Sequence, residues 1–374
     1  MSGGAQDLFE RLSSPEAGPA WLTGLRGLAR AASGFYGLGV GARNLAHDLG
    51  LAPARYLPVP VVGVGNLTVG GTGKTPLVME VVAALARLGL PSAVVSRGYG
   101  GQAARSGRSV TWVSLGQGPL VTASQAGDEP VLLARRLQVP VAVGPNRHAV
   151  GREVVHRTGL RVLVGDDMFQ HRGLHRDLDL VALDASRPLG NGRLLPAGPL
   201  REPARGLRRA QAIVLTRADD PEATRATRAW LRSFWGPGPV LACRHRLRGL
   251  CAPGGRQMAP PELKGRRVLA FCGLARPQDF AQALRGLGLV MVDFRSFGDH
   301  HAYTPAEIAG LWSQAKALRA QALVTSEKDE ARLPAVLPLD LDLWVTRLEL
   351  EFDEGPQALD QVLAWGLAPW GRKL

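Results

Sequence analysis

The sequence is poor in cysteine, and it has neither a secretory leader pattern nor an apolar run long enough to cross a bilayer. Its three cysteines, Cys243, Cys251 and Cys272, are odd in number and lack metal-ligand spacing, which argues against a disulfide framework and a zinc site. The opening MSGGAQDLFERL lacks the basic start and apolar core of a signal peptide. We therefore expect a reduced, cytosol-facing protein.

Acidic residues are in deficit, with 32 Asp and Glu against 45 Lys and Arg, a net charge of +13. This balance predicts an anionic partner such as a nucleotide, a nucleic acid or an acidic lipid headgroup. Most of the excess is arginine spread along the chain, so a high-GC genome explains part of it equally well. The 374 residues, 45% of them hydrophobic, suit two folded domains.

The N-terminal region contains a 12-residue charge-free run, Ala31 to Ala42, between Arg30 and Arg43. This run is shorter than the roughly 20 apolar residues of a spanning helix. With Trp21 and Phe35 nearby, it suits a helix lying in the headgroup region of a membrane. The alternative is a helix packed on its own domain.

Short β-branched runs alternate with helical patterns from residue 59 onward, which predicts an α/β fold with a mainly parallel sheet flanked by helices. Proline and glycine clusters near residue 250 indicate a connector to a second, smaller α/β domain. The predicted segments are an N-terminal helix at 1–52, a core domain at 53–236, the connector at 237–265 and a C-terminal domain at 266–374.

The stretch GNLTVGGTGKTP is typical of a phosphate-binding loop, because it follows an apolar strand and opens an amphipathic helix. Thr68 stands where the strict pattern has glycine, but Gly70 and Gly71 can adopt the unusual dihedrals. The alternative is a glycine-rich turn with a solvated lysine. The loop predicts a P-loop NTPase-like fold and these nucleotide-binding residues: Thr68, Val69, Gly70, Gly71, Thr72, Gly73, Lys74 and Thr75.

A second apolar strand ends in Asp166 and Asp167, which places two carboxylates beside the loop. Such aspartates hold Mg²⁺ together with the loop hydroxyl, here Thr75. Adjacent residues of an extended chain point to opposite sides, so we expect only one carboxylate to face the metal. A simple helix cap is the alternative.

Several motifs in this order resemble the tetraacyldisaccharide 4′-kinase family, the lipid A 4′-kinases: GNLTVGGTGKTP, SRGYGG, GDEPVLLA, DDMFQHRGLHRDLDLVALD, GNGRLLPAGPLREP, FGDHHAYT and TSEKDEARL. They extend from residue 65 to about residue 333. The run around Tyr36 also resembles the N-terminal membrane-associated helix of the family.

The resemblance implies a lipid kinase of lipopolysaccharide biosynthesis, which transfers the γ-phosphate of ATP to the 4′-hydroxyl of a tetraacyldisaccharide 1-phosphate. It implies ATP and Mg²⁺ as cofactors and a location at the cytoplasmic face of the bacterial inner membrane, with no nucleic acid and no obligate protein partner. The alternatives are a P-loop NTPase switch that binds an anionic membrane or nucleic acid, and a soluble small-molecule kinase.

Three catalytic residues follow from the resemblance. Asp128 in GDEP matches the candidate general base, with a helix N-cap as the alternative. His300 in GDHH resembles its partner histidine, and His301 is the competing choice. Lys74 of the loop completes the set.

Two further residues, Arg201 and Glu202, resemble positions that the family places near the site. Arg201 in PLREP is expected to steady phosphate charge, and Glu202 to help hold the metal or orient the acceptor, with a surface salt bridge as an equal alternative for Glu202. Arg97, Asn146 and Arg147 are expected to receive the sugar or the 1-phosphate.

The sequence does not decide the backbone conformation of two stretches. Met168 replaces the glycine of the family's Asp-Asp-Gly-Phe-Gln pattern, and a positive φ there would strain it by about 1 to 2 kcal/mol. The TSEKD stretch, Thr325 to Asp329, resembles a base-reading loop but suits a helix start at least as well.

Overall fold

The computed structural model describes residues 8–9, 11–13, 19–104, 109–253, 255–334, 337 and 342–373. Within these residues the chain forms two compact units. The large unit contains the described residues up to 121, then 125–244 and 350–373, and the small unit contains 122–124 and the described residues of 245–349.

The sheet of the large unit lies in the order β8-β7-β6-β1-β5-β2-β4-β3. All neighbours are parallel except β3, which is antiparallel to β4. Every residue of β1, β5, β6 and β7 is buried, as expected for a parallel sheet covered on both faces. The strands are β1 Val61–Asn66, β2 Ser92–Ser96, β3 Thr111–Leu115, β4 Pro140–Val143, β5 Val162–Asp166, β6 Leu178–Asp184, β7 Ala212–Thr216 and β8 Val240–Cys251.

The helices with described bounds up to residue 234 are α1 Ala20–Asp48, α2 Lys74–Arg87, α3 Ala123–Ala126, α4 Asp128–Arg136, α5 Arg147–Thr158 and α6 Pro221–Phe234. Three short 3₁₀ helices cover Gln102–Ala104, Ala204–Arg209 and Ala368–Lys373. No helix in the described part of the chain combines the length and apolar character needed to cross a bilayer. The predicted mainly parallel α/β architecture is confirmed.

The small unit has a parallel sheet in the order β11-β10-β12-β13, and β9 pairs antiparallel with the end of β8. Its elements are β9 Gln257–Met258, α7 Pro260–Leu263, β10 Arg267–Cys272, α8 Pro277–Gly286, β11 Val290–Ser296, α9 Pro305–Ala317, β12 Ala322–Thr325, α10 Glu327–Glu330 and β13 Leu343–Phe352. The last helix, α11 Ala358–Leu367, belongs to the large unit.

Two of the predicted segments end elsewhere in the structure. Residues 350–373, which the sequence assigned to the C-terminal domain, group with the large unit because α11 packs on α2 and β6. Asp360 of α11 accepts hydrogen bonds from Arg87, and a Cβ added at Gly366 would lie 2.7 Å from a methyl carbon of Leu178, so the two elements are in close contact. The predicted connector contains β8, β9 and α7, and the boundary between the units falls inside β8.

Candidate active site

The predicted phosphate loop joins β1 to α2 at the carboxyl edge of the large sheet. Gly70 has φ +100° and Gly73 has φ +79°, so these two glycines adopt the left-handed backbone that the turn requires. Thr68 is absent from the positive-φ residues and forms a bridge with Leu200. The missing first glycine is therefore tolerated, because the backbone at this position is ordinary.

Asn66 braces the loop from inside. Its Nδ2 donates to the carbonyl oxygen of Thr68 at 2.6 Å and to Thr72 Oγ1 at 2.8 Å, and its side chain is fully buried. The hydroxyl of Thr216, at the end of β7, donates to the carbonyl oxygen of Thr72 at 2.9 Å. The sequence analysis missed both residues, although an asparagine at the end of a buried strand was an available signal.

Lys74 and Thr75 are the first two residues of α2, and both are buried although they are polar. Lys74 Nζ lies 3.7 Å from Asp167 Oδ1. The amides at the start of a helix form an anion site, and here a lysine lies beside them. The loop, the helix start and the lysine therefore suit a polyphosphate.

Asp166, the last residue of β5, is almost completely buried. Ser96 donates to its Oδ2 at 3.3 Å, while Oδ1 has no hydrogen-bond partner. Burial, and then the charges of Glu129 and Asp167, raise the pKa of Asp166 to about 7, against the opposite effect of Lys74. A buried carboxylate oxygen without a partner, next to the phosphate loop, suits a bound cation.

Asp167 is the residue that adopts the left-handed backbone, with φ +52°, and Met168 does not. The backbone strain expected at Met168 is therefore not found. The left-handed conformation falls on Asp167 instead, and aspartate tolerates it better than most residues. The Met168 side chain is fully buried and packs on Gly165, where a Cβ would lie 2.4 Å from its Cγ. Arg201 Nη1 donates to both Asp167 oxygens, at 2.7 and 2.9 Å.

Glu202 has no solvent-exposed surface, so it does not form the surface salt bridge that the sequence left open. Arg209 Nη2 donates to both of its oxygens at 2.8 Å, Gln170 donates to Oε1 at 3.0 Å, and Asn44 of α1 donates to Oε2 at 3.1 Å. Both oxygens are thus hydrogen-bonded within the protein, and direct metal coordination would require one of these contacts to be given up.

A cluster of basic side chains lies beside the carboxylates. Arg147, the first residue of α5, is 7% exposed, and its Nε has no hydrogen-bond partner. Burial, and then the charge of Arg97, lower the pKa of Arg147 to about 10, while Asp167 and Asp166 act in the opposite direction. Burial, and then Arg147, lower the pKa of His171 to about 4. This cluster suits an anionic ligand.

Asn146 and Asp128 lie at the starts of helices. Asn146 is the N-cap of α5, and its side chain accepts from the amide of Ala149 at 3.2 Å. Asp128 is the first residue inside α4, whose N-cap is Gly127, so the alternative role of Asp128 as the N-cap is not found. Glu129 is close enough to raise the pKa of Asp166, which puts the start of α4 near the carboxylates.

His300 and His301 lie in the small unit and differ in their surroundings. The His300 side chain is 51% exposed, and its backbone has φ +60°. His301 stacks on Phe297 at 4.7 Å between ring centroids, and its Nε2 lies 3.1 Å from Glu307. The ring of His301 is held by these packing contacts, which favours His300 as the histidine that contacts a ligand.

A buried aspartate, Asp329, supports the loop that carries these histidines. It accepts from the amide of Gly273 at 2.9 Å and from the hydroxyl of Tyr303 at 2.9 Å. The carbonyl of Gly273 in turn accepts from the His300 amide at 3.3 Å. Ser326 is the N-cap of α10, so the TSEKD stretch forms a helix start.

Helix α1 packs on the loop that carries Arg201. Ser33 Oγ donates to the carbonyl oxygen of Leu194 at 2.9 Å, and the Tyr36 hydroxyl donates to that of Arg201 at 2.8 Å. The opposite face leaves large apolar side chains in solvent, with Phe35 77% and Leu38 72% exposed. The alternative of a helix packed on its own domain is therefore found for one face, and the other face is apolar and exposed.

The loop, the buried lysine and the strand-end carboxylates define a P-loop nucleotide-binding protein of the α/β class. The sequence profile of the tetraacyldisaccharide-1-P 4′-kinase family, LpxK, matches residues 25–366. The chain therefore belongs to the tetraacyldisaccharide-1-P 4′-kinase family, as its motifs predicted.

Individual relatives agree with this assignment. The chain is 46% identical to the tetraacyldisaccharide 4′-kinase of Anaeromyxobacter dehalogenans strain 2CP-C, over 86% of this chain and 85% of that protein. It is 40% identical to that of Geobacter sulfurreducens, over 88% and 91% of the two chains. A crystal structure of LpxK from Aquifex aeolicus in complex with ATP is similar with a TM-score of 0.73 at 30% identity, over 90% of this chain and 97% of that one.

Replacing Asp166 by asparagine is expected to stabilise the ligand-free protein by about 1 kcal/mol while removing its function. Between the ordinary pKa of 3.8 and the folded-state value of about 7, folded Asp166 holds a proton that the unfolded chain releases. The free energy of unfolding of the wild type therefore falls as pH rises through this window, and the variant lacks that loss.

The difference in the free energy of unfolding between the variant and the wild type is measured by urea unfolding in EDTA at about pH 4 and about pH 8. It should appear mainly at the higher pH. Asp220→Asn is a matched control, because Asp220 caps α6 and asparagine also caps helices. A variant Asp166→Asn less stable than the wild type at the higher pH would contradict this account.

Proposed function

We propose that this site transfers the γ-phosphoryl group of ATP to the 4′-hydroxyl of a tetraacyldisaccharide 1-phosphate, the lipid A precursor, in lipopolysaccharide biosynthesis. The observation that carries the proposal is the buried Asp166 oxygen without a partner beside a phosphate loop that is already shaped. Membership of the kinase family supports the reaction, and the residues in the site supply the groups that phosphoryl transfer needs.

The phosphate loop, residues 68–75, binds the polyphosphate through its backbone amides. Gly70 and Gly73 turn the backbone so that the amides at the start of α2 can point at phosphate oxygens. Lys74 adds a positive charge, held 3.7 Å from Asp167. These groups orient the γ-phosphoryl group and stabilise the charge that develops as it leaves.

Thr75, Asp166 and Asp167 are the side chains that would hold Mg²⁺, which neutralises phosphate charge and fixes the direction of the transfer when it is bound. Of the two carboxylates, Asp166 is the one with an oxygen left for a cation. Asp167 is already paired with Arg201 and Lys74, so it keeps these two basic side chains in place. Glu202 supports the backbone around it through its hydrogen bonds. Because it follows Arg201 directly, it contributes to the metal site by positioning that residue.

The acceptor is bound by the basic cluster and activated by Asp128. Arg97 and Arg147 supply positive charge for the 1-phosphate, and Asn146 fixes the start of the helix that carries Arg147. Asp128 accepts the proton of the 4′-hydroxyl as that oxygen attacks, and His300 is its partner. Arg201 steadies the charge of the transferred group.

The exposed face of α1 binds the surface of the inner membrane on its cytoplasmic side. Trp21, Leu28, Phe35 and Leu38 are more than half exposed, and arginines lie along the same helix. Apolar side chains of this size favour the acyl boundary, and the arginines favour anionic headgroups. A helix in this position would hold the enzyme where its acylated substrate resides.

Replacing Asp128 by asparagine should lower kcat by about 100-fold or more, because a general base contributes factors of about 10² to 10⁴. The measurement is transfer of label from γ-labelled ATP to the lipid A precursor, with Lys74→Ala as a second inactive variant. Asp220→Ala removes a true helix cap and should cost stability but little kcat. Equal losses of kcat in the Asp128 and Asp220 variants would refute the role of Asp128 as base. ATP hydrolysis that ignores the lipid would instead indicate the NTPase switch.

Replacing His300 by alanine should lower turnover with little change in thermal stability, because its side chain is half exposed. His301→Ala should instead lower the melting temperature, because it removes contacts to Phe297 and Glu307. Both variants are compared by labelled transfer and by thermal unfolding. Full activity of the His300 variant would exclude its pairing with Asp128.

Replacing both Phe35 and Leu38 by glutamate should reduce binding to vesicles of anionic phospholipid at least about tenfold, since each buried side chain of this size contributes roughly 1.5 to 3 kcal/mol. Cosedimentation with phosphatidylglycerol vesicles measures the effect. Leu115→Glu is the control, because Leu115 is 59% exposed and lies on β3. Unchanged vesicle binding by the double variant would exclude this face of α1 as the membrane contact.

A further inference from the structure

We propose that Asp329 and Arg332 are positioning residues that hold His300 in the conformation needed for phosphoryl transfer. The proposal rests on the function proposed above, in which His300 is the partner of Asp128. It gives a role to the end of the TSEKD stretch, Thr325 to Asp329, which has no part in the phosphate loop, the metal site or the acceptor site. All the contacts that carry it lie within the small unit.

The backbone of His300 has a conformation that its surroundings must hold. Its φ of +60° is uncommon for a residue other than glycine. Such conformations persist where neighbouring contacts fix them, and they are frequent at functional sites. The His300 amide donates to Asp299 Oδ1 at 3.1 Å and to the carbonyl oxygen of Gly273 at 3.3 Å. The contact with Gly273 ties this backbone to a distant part of the chain.

Gly273, the first residue after β10, is held through both of its backbone groups. Its amide donates to Asp329 Oδ1 at 2.9 Å, and its carbonyl oxygen accepts from Arg332 Nη1 at 3.2 Å. A Cβ built on Gly273 would lie 2.9 Å from the carbonyl oxygen of Gly298, so the turn at 298–301 packs directly on this residue. Two side chains from one short segment therefore fix the residue that accepts from His300.

Asp329 and Arg332 are themselves buried and paired. Asp329 has no exposed surface, Arg332 is 9% exposed, and Arg332 Nη2 lies 3.4 Å from Asp329 Oδ1. The hydroxyls of Tyr303 and Ser326 also donate to the Asp329 carboxylate. A buried ion pair with these hydrogen bonds resists displacement, because breaking it would leave an uncompensated charge. Asp329 is too enclosed to touch a nucleotide base, so it acts through Gly273.

This network affects the reaction through geometry. A shift of about 1 Å in a reacting group can lower a rate about 100-fold. The His300 side chain is 51% exposed, so burial does not fix its ring, and its position depends on its backbone. Removing the network should therefore lower kcat through His300 and leave the KM for ATP unchanged.

The test is a double-mutant cycle on the full chain, with kcat measured by transfer of label from ATP to the lipid A precursor. Asp329→Ala should lower kcat at least about tenfold at an unchanged KM for ATP. Asp329→Asn keeps an acceptor oxygen for Gly273 and should restore part of kcat. In the His300→Ala background, Asp329→Ala should lower kcat no further. Should Asp329→Ala fail to fold, Tyr303→Phe removes a single donor to Asp329 and should show a smaller loss with the same dependence on His300.

Thr325→Val is the matched control, because the buried Thr325 hydroxyl lies in the same stretch and donates to the carbonyl oxygen of Phe271 at 2.9 Å. It should lower the melting temperature and leave kcat unchanged. A second readout is nuclear magnetic resonance of the protein with ¹³C-labelled histidine. The His300 signal, identified by its loss in His300→Ala, should shift in Asp329→Ala and stay in place in Thr325→Val.

Each outcome bears on the proposal. An equal fall of kcat in the Thr325 variant would overturn it, because a general loss of packing would then explain the effect. Losses of kcat that multiply in the His300→Ala background would overturn it too, as would a rise in the KM for ATP at constant kcat. If the wild type transfers no phosphate to the lipid, the proposed function fails and this proposal with it. If the wild type is active but the His300 signal does not move in Asp329→Ala, only the positioning role fails.

Discussion

The parallel pairing of β1 with β5 is the constraint on which the site depends. In this register Val64 lies beside Asp166, so the strand that leads into the phosphate loop and the strand that ends in the carboxylates finish side by side. A shift of one residue would move Asp166 to the opposite face of the sheet, because successive side chains alternate. The fully buried β-branched residues of both strands oppose such a shift.

Opposite charges are distributed through the site so that few remain unbalanced. Asp167 is shared by Lys74 and Arg201, and Glu202 is paired with Arg209. Among the charged side chains of the site, Asp166 keeps its Oδ1, and Arg147 and Arg209 each keep their Nε, without a hydrogen-bond partner. They are of opposite charge type, as expected for a site that receives both a cation and phosphate groups.

Much of this arrangement could be predicted from the sequence, because glycine, lysine and aspartate in fixed order report the phosphate loop and the strand end directly. The positive φ could not be placed, since the pattern suggested Met168 while the turn begins one residue earlier, at Asp167. The packing of Met168 over Gly165 explains why the methionine fits there. Tertiary contacts of this kind leave no local periodicity.

Contacts between residues far apart in the sequence could not be predicted either. The sequence around Thr216 does not indicate that this residue contacts the phosphate loop, 144 residues earlier, because the contact forms only when β7 and β6 pair beside β1. The helix after residue 350 was assigned by its position in the sequence, whereas in the structure it packs on α2 and β6 and forms an ion pair with Arg87. Glu202 shows the same limit, since its burial depends on Asn44 and Arg209.

The brace that Asn66 gives to the loop has one further consequence. Its two hydrogen bonds, both made within the protein, hold Thr68 and Thr72 in the curved arrangement. The conformational entropy of these residues is therefore lost when the chain folds and not when a nucleotide arrives. An alanine at position 66 would transfer that entropic cost to the binding step, so the protein would retain every group that touches phosphate and still capture the nucleotide less tightly.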